Sequence, residues 1–319
     1  MSRCLVTGAA GFIGSHLCEA LLARGHSVRG IDSFTDYYEP ARKRTNLEGA
    51  LAAGLDLLPL DLTVNPLDTA VEHVDTVYHL AGQPGVRGSW SKGFDAYVRR
   101  NIVATQRLLE AAVHAGGPRF VFASSSSVYG NVGAVAARES DRPAPVSPYG
   151  MTKAACEELV GVYQRTHGLS AVSLRYFTVY GPRQRPEMAF ASFIRAVLSG
   201  SSVQVLGDGT QSRDFTYVDD VVAATIAAAE RGVQPLYNIS GGANATVLEA
   251  IAHIENATGR RARVRHSGSV RGDAYRTAAD LTVTKRDLGY DPAVTLREGL
   301  ERQAQAAIGE AAEHTRAAA

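Results

Sequence analysis

Apolar residues fall in short clusters along the chain, and the period inside the clusters changes repeatedly. Arg3-Cys4-Leu5-Val6-Thr7 is a compact apolar run stopped by Gly8. From Gly14 to Arg24 the apolar positions recur at helical intervals until Gly25, and Ser27–Asp32 is a second compact run. These spacings predict strand, helix, strand within about thirty residues. The alternation continues. Leu57–Leu60 reads as a strand, kept short by Pro59. Thr76–Leu80, Phe120–Ala123 and Ala171–Tyr176 read as buried strands, with helices predicted over Asn101–His114 and from Ser147 onward. Strands alternating with helices imply a doubly wound parallel sheet covered on both faces, an α/β fold. After Tyr180-Gly181-Pro182 the pattern breaks into shorter pieces separated by glycine-rich and polar loops. Leu236–Ser240 has the character of a strand returning to the main sheet. The alanine-rich tail from Ala304 predicts a peripheral helix that frays.

The turn between the first strand and helix is Gly8-Ala9-Ala10-Gly11-Phe12-Ile13-Gly14. Glycines here permit the turn and let backbone approach a pyrophosphate at the helix N-terminus. The spacing is Gly-x-x-Gly-x-x-Gly, and its place after a strand makes it a dinucleotide-binding turn of Rossmann type. Asp32 ends the second strand, where a carboxylate accepts hydrogen bonds from ribose hydroxyls and repels a 2′-phosphate, favouring NAD over NADP. Arg42, Lys43 and Arg44 follow closely and keep that preference testable. Asp61 and Leu62 end the next strand and are placed to meet the adenine. Leu80 and Ala81 end another at the sheet's carboxyl edge; His79 beside them is equally suited to a structural role or a cofactor contact. Residues 1–178 are expected to bind NAD, with a return segment at 215–240, and residues 179–319 to form most of a smaller, discontinuous substrate domain.

Composition narrows the partners. The 319 residues are 45% hydrophobic, enough for a large core, and carry a formal charge of +1. No basic block points to nucleic acid or a membrane surface. Cys4, Cys18 and Cys156 are few, odd in number and set in apolar patterns, as expected of buried reduced thiols. No charged leader or long apolar segment is evident, so a cytoplasmic protein is expected. No metal site is expected.

The chemistry concentrates in Ser147-Pro148-Tyr149-Gly150-Met151-Thr152-Lys153. Tyr149 and Lys153 are four apart, on one helix face. A lysine cation, or the positive ring of an oxidised nicotinamide, favours the phenolate of a tyrosine beside it. Such a tyrosine can take a proton from a sugar hydroxyl while hydride leaves for the cofactor.

In the glycine turn, Asp32, the cluster Ser124–Ser127, Tyr149-x-x-x-Lys153 and Arg213–Asp220, the chain resembles the extended short-chain dehydrogenase/reductase family, in its branch acting on nucleotide-diphosphate sugars. The resemblance covers nearly the whole chain. It implies that Ser125, four residues before Tyr129, assists Tyr149, that Arg213 holds the substrate diphosphate with Arg271, and that Asn101 braces the site or merely caps its helix. Ser126 and Ser127 stand where related 4,6-dehydratases carry an aspartate-glutamate pair and decarboxylases a serine and a glutamate; two small hydroxyls resemble the UDP-glucuronate 4-epimerases. Asp32–Tyr38 and Arg175–Pro182 are similar to that subgroup too, with Thr178 where hexose epimerases more often have asparagine. Arg185 then matches the arginine facing the sugar carboxylate. The resemblance implies a UDP-glucuronate 4-epimerase with bound NAD, forming a homodimer through the Tyr149 helix and helix 101–114. UDP-glucuronate decarboxylase and UDP-glucose 4-epimerase are the alternatives, and a non-catalytic NAD-binding sensor is a reading of another class.

Overall fold

The computed structural model describes residues 1–133, 135–268, 272 and 274–317. The chain opens with β1 (Arg3–Thr7), α1 (Phe12–Ala23), β2 (Ser27–Ile31), α2 (Pro40–Ala52) and β3 (Asp56–Leu58). Pro59 stops β3 two residues before the end of the run Leu57–Leu60 that was expected to form it. Next come α3 (Asp68–Val71), β4 (Thr76–His79), α4 (Phe94–Tyr97), α5 (Ala104–His114) and β5 (Arg119–Ser125). They are followed by α6 (Pro148–His167) and β6 (Ala171–Tyr176). The central sheet has seven strands, completed by β11 (Leu236–Ile239), in the order β11-β6-β5-β4-β1-β2-β3. Every pairing in it is parallel. This is the Rossmann-type arrangement that the strand-helix alternation predicted. Chain direction across the sheet reverses between β1 and β4, opening a crevice at their carboxyl ends.

Strand alternation divides the core. Cys4 and Val6 face one apolar layer and Leu5 the other, and in β5 Val121 and Ala123 oppose Phe120 and Phe122. Helices α3, α5 and α6 cover the Leu5 face. On the other face lie α1, α2 and α8 (Val218–Arg231). That core runs on without interruption into the smaller lobe. The lobe is built from β7 (Val179–Tyr180), α7 (Ala189–Ser199), β8 (Ser202–Leu206), β9 (Ser212–Asp214) and β10 (Thr216–Tyr217). After β11 it adds β12 (Asn244–Thr246), α9 (Val247–Thr258), β13 (Arg263–Ser267), α10 (Thr282–Leu288) and α11 (Leu296–Ala317). Three two-stranded ladders, β7 with β10, β9 with β12 and β8 with β13, connect these pieces.

Two expectations change here. The helix expected to start at Asn101 is continuous with α4 through a π-helical stretch, Val98–Val103, so Asn101 lies inside it and caps nothing. The tail helix begins at Leu296, and Leu300 and Ala304 are fully buried against α7 and α9, so its first turns are core. All three cysteines are buried and unpaired, and burial pushes the Cys4 thiol up to about 11. No helix among the described residues is long and apolar enough to cross a membrane.

Candidate active site

The crevice between β1 and β4 opens into a cleft. Gly8, Gly11, Phe12, Ile13 and Gly14 form one end, Asp32, Asp61, Leu62, Leu80 and Ala81 a second wall, and Tyr149, Lys153 and Arg185 a third. The glycines are required by contact. A Cβ on Gly8 would sit 2.8 Å from the Ala81 nitrogen, and one on Gly14 2.0 Å from the Gly8 carbonyl oxygen. Gly11 is the N-cap of α1; no side chain caps this helix and its first turn holds no acid. The amides at that end therefore point at whatever occupies the cleft.

Asp32 follows β2 directly. Its carboxylate accepts from the Ala10 amide at 3.1 Å and the Phe34 amide at 2.8 Å. Burial raises its pKa, against these two bonds and the nearby Lys43 charge, which lower it. Asp61 accepts from the amide and hydroxyl of Thr63, both at 2.7 Å, which fixes its loop. The shape and donor pattern fit a dinucleotide: bare amides and close glycines for the pyrophosphate, a held carboxylate for a ribose.

Tyr149 and Lys153 sit in the first two turns of α6. Ser147 caps that helix, its hydroxyl accepting from the Gly150 amide at 3.1 Å, and Pro148 occupies the first turn. A Cβ on Gly150 would lie 2.4 Å from the Ser127 carbonyl oxygen. This close approach seats the start of α6 directly on the serine segment. Lys153 is buried, donates to the Ala123 carbonyl at 2.7 Å and lies 4.9 Å over the Phe122 ring. The Tyr149 ring meets the edge of Tyr97 at 6.1 Å. Asn101, placed by the π-helical stretch, accepts from the Gln83 amide at 2.6 Å and donates to Thr152 at 3.0 Å. Thr152 in turn donates to the Tyr149 carbonyl, so Asn101 ties the loop after β4 to α6.

The serines divide. Ser124 lines the cleft and donates to Glu157, which Arg175 holds through two bonds of 3.0 and 2.7 Å. Ser125 ends β5, and its hydroxyl oxygen accepts from the Ser127 amide at 3.2 Å. Ser126 is buried and Ser127 half-buried. Ser125, Ser126, Ser127 and Thr178 are not among the residues lining this cleft. Arg213 lies on β9, away from it, and donates to the carbonyls of Ser212 and Tyr275 at 2.9 and 3.0 Å. Arg271 lies outside the described residues.

His79 resolves to a structural role. It is fully buried, its ring nitrogens lie 2.7 Å from the Thr7 hydroxyl and 2.9 Å from that of Thr105, and it does not line the cleft. Burial first, then the Lys153 charge, push its pKa from 6.5 to about 3. An unfolded chain therefore binds a proton between those values that the folded chain refuses. The stability linked to neutral His79 is present above about pH 6.5 and lost as pH falls, by about 1.4 kcal/mol per unit. Chemical unfolding at pH 6.5 and 5.5 should differ by about 1 kcal/mol, because the full slope is reached only well below pH 6.5, and His79→Gln should flatten the difference.

Residues missed in the sequence also line the cleft: Tyr37, Tyr38 and Lys43 from the segment after β2, and Gln83 and Arg100 near Asn101. Lys43 is buried, donates to the Thr35 carbonyl at 2.8 Å and lies 4.9 Å over the Tyr38 ring. The tyrosine pair following Asp32 at the sheet edge was the available signal.

Residues 4–240 match the profile of the NAD dependent epimerase/dehydratase family. The chain belongs to that family. Its cofactor is NAD, and the cleft described above is where the chain's residues suit it. The chain is 44% identical over 306 residues to a Bacillus subtilis (strain 168) protein named an uncharacterized UDP-glucose epimerase, covering 94% of this chain and 96% of that one. It is 36% identical over 307 residues to a UDP-glucuronate 4-epimerase of Thermodesulfobacterium geofontis (strain OPF15), covering 95% of each. A UDP-glucuronic acid 4-epimerase from Bacillus cereus, solved in complex with UDP-glucuronic acid and NAD, superimposes with a TM-score of 0.93 at 41% identity, covering 97% of this chain and 99% of that one. The family resemblance drawn from the motifs thus holds.

Proposed function

We propose that this enzyme is a UDP-glucuronate 4-epimerase, interconverting UDP-glucuronate and UDP-galacturonate. The observation carrying this reading is that Arg185, an arginine with only 19% of its side chain exposed, lines the same cleft as Tyr149 and Lys153. Arginine suits planar recognition of a carboxylate. The names of the Thermodesulfobacterium and Bacillus cereus relatives support the same substrate.

In this mechanism Tyr149 takes the proton of the C4 hydroxyl, with Ser125 bonding the same sugar oxygen. The Lys153 cation, one helical turn along α6, balances the charge of the Tyr149 phenolate that accepts this proton. NAD supplies the hydride chemistry, accepting hydride from C4 and returning it. Between the two transfers the 4-keto sugar turns to present its other face, and Tyr149 returns the proton. The 4-keto uronate is a β-keto acid, prone to lose carbon dioxide. Arg185, with Ser126 or Ser127, holds the carboxylate out of alignment with the carbonyl. Neither serine is an acid able to drive elimination of water, which separates the site from dehydratase chemistry. Thr178 contacts the sugar and Arg213 the diphosphate. The active form in this reading is a cytoplasmic homodimer joined through α5 and α6.

The B. subtilis relative's name favours a second reading, UDP-glucose 4-epimerase. Arg185→Ala separates the two. In the uronate reading it raises KM for UDP-glucuronate about thirtyfold, a loss of about 2 kcal/mol for a charge-assisted bond. It changes KM for UDP-glucose several-fold less. An equal change for both sugars would remove the carboxylate role from Arg185.

A further inference from the structure

Arg185 does not face the cleft as an isolated cation. Its Nε donates to the Glu187 carboxylate at 2.7 Å, two residues further along the same loop. The guanidinium's two Nη groups make no hydrogen bond among the described residues. Tyr37, on the segment after β2, has its phenol pushed up by burial first and then by the Glu187 carboxylate beside it. Tyr37 and Arg185 line the same cleft, while Glu187 stands behind Arg185 and is not itself among the lining residues.

We propose that Glu187 is a specificity-determining residue that closes one edge of Arg185 and offsets its charge, so that the cleft grips a sugar carboxylate through one edge only. The inference rests on the uronate reading above. Its physical basis is the turn that epimerisation demands. The 4-keto sugar must let go of its first orientation before hydride can return to the opposite face. A lone arginine would hold a uronate most tightly in the ground state, and binding that strengthens only the ground state slows the step that leaves it. A carboxylate 2.7 Å from Nε lowers the net attraction while keeping the guanidinium plane fixed. Glu187 itself touches no reacting atom in this account and acts through Arg185.

Glu187→Gln tests this, because the amide keeps the shape and an acceptor oxygen while removing the charge. The measurement uses the NAD-loaded enzyme, with UDP-glucuronate and UDP-glucose as the two ligands, and reads KM and kcat for each. The variant should lower KM for UDP-glucuronate about fivefold, the scale of one partly screened charge, with kcat falling by a similar factor. The ratio of the two sugars' KM values should shift toward the uronate by the same fivefold. A higher KM for UDP-glucuronate, or equal changes for both sugars, overturns the inference and leaves Glu187 as a structural brace. The wild-type enzyme is the control for the underlying reading. If it shows no preference for UDP-glucuronate over UDP-glucose, the uronate reading falls and this inference with it. If it prefers the uronate and Glu187→Gln fails to tighten that preference, only the inference falls.

Discussion

Tyr149→Phe should reduce turnover by about 10³-fold and leave the amount of NAD carried through purification unchanged. The substitution removes one hydroxyl and nothing else. The ring keeps its edge contact with Tyr97 at 6.1 Å, and the cap of α6 by Ser147 is untouched. Lys153 still donates to Ala123, so the cleft keeps its shape. Single-turnover and steady-state rates should fall together, because the proton transfer itself is lost. A variant within threefold of wild type would take the role of base away from Tyr149. A variant lacking NAD would instead show that the phenol holds the cofactor.

Gly14→Ala should abolish retention of NAD and destabilise the fold. The new Cβ would sit 2.0 Å from the Gly8 carbonyl oxygen and 3.1 Å from the Ala9 Cα, backbone on both counts. No side-chain rotation relieves such a clash, so the turn or the first turn of α1 must move. Overpacking of this kind costs about 1–3 kcal/mol. The same movement misdirects the uncapped amides of α1, so NAD affinity should fall at least about tenfold. Absorbance of the purified protein for bound nucleotide and a thermal melt read the two effects separately. Normal NAD content with a normal melt would show that the close packing of this turn is dispensable.

Much of this site was legible because its chemistry is local in sequence. The glycine turn, Asp32 and the Tyr149–Lys153 pair each lie within one turn or one strand end, and strand-helix alternation fixes where those ends meet. What escaped depends on longer reach. Asn101 was expected at a helix start, since Gly93 and the polar stretch Arg99-Arg100-Asn101 mask continuity with α4. A π-helical stretch adds a residue to the turn and leaves no periodic trace, yet it aims Asn101 at Gln83 and Thr152. Tyr37 and Tyr38 lie on an irregular segment between β2 and α2, and Lys43 on the first turns of α2, so no single period links them to Asp32. The serine run shows the opposite difficulty. Four identical residues in a row cannot reveal that Ser124 turns to Glu157 while Ser125 caps the next turn. The ion pair of Arg175 with Glu157 spans β6 and α6, and no spacing rule connects them.

The most direct test of the central claim is to incubate the purified enzyme with UDP-glucuronate, adding no cofactor, and to follow product mass and the proton NMR signal at C4. The account predicts a product of unchanged mass with inverted configuration at C4, formed by NAD retained in the cleft. A product lighter by carbon dioxide would contradict it, because Arg185 and the serine pair would then fail to protect the 4-keto uronate. So would an enzyme that leaves UDP-glucuronate untouched, with or without added NAD, while converting UDP-glucose.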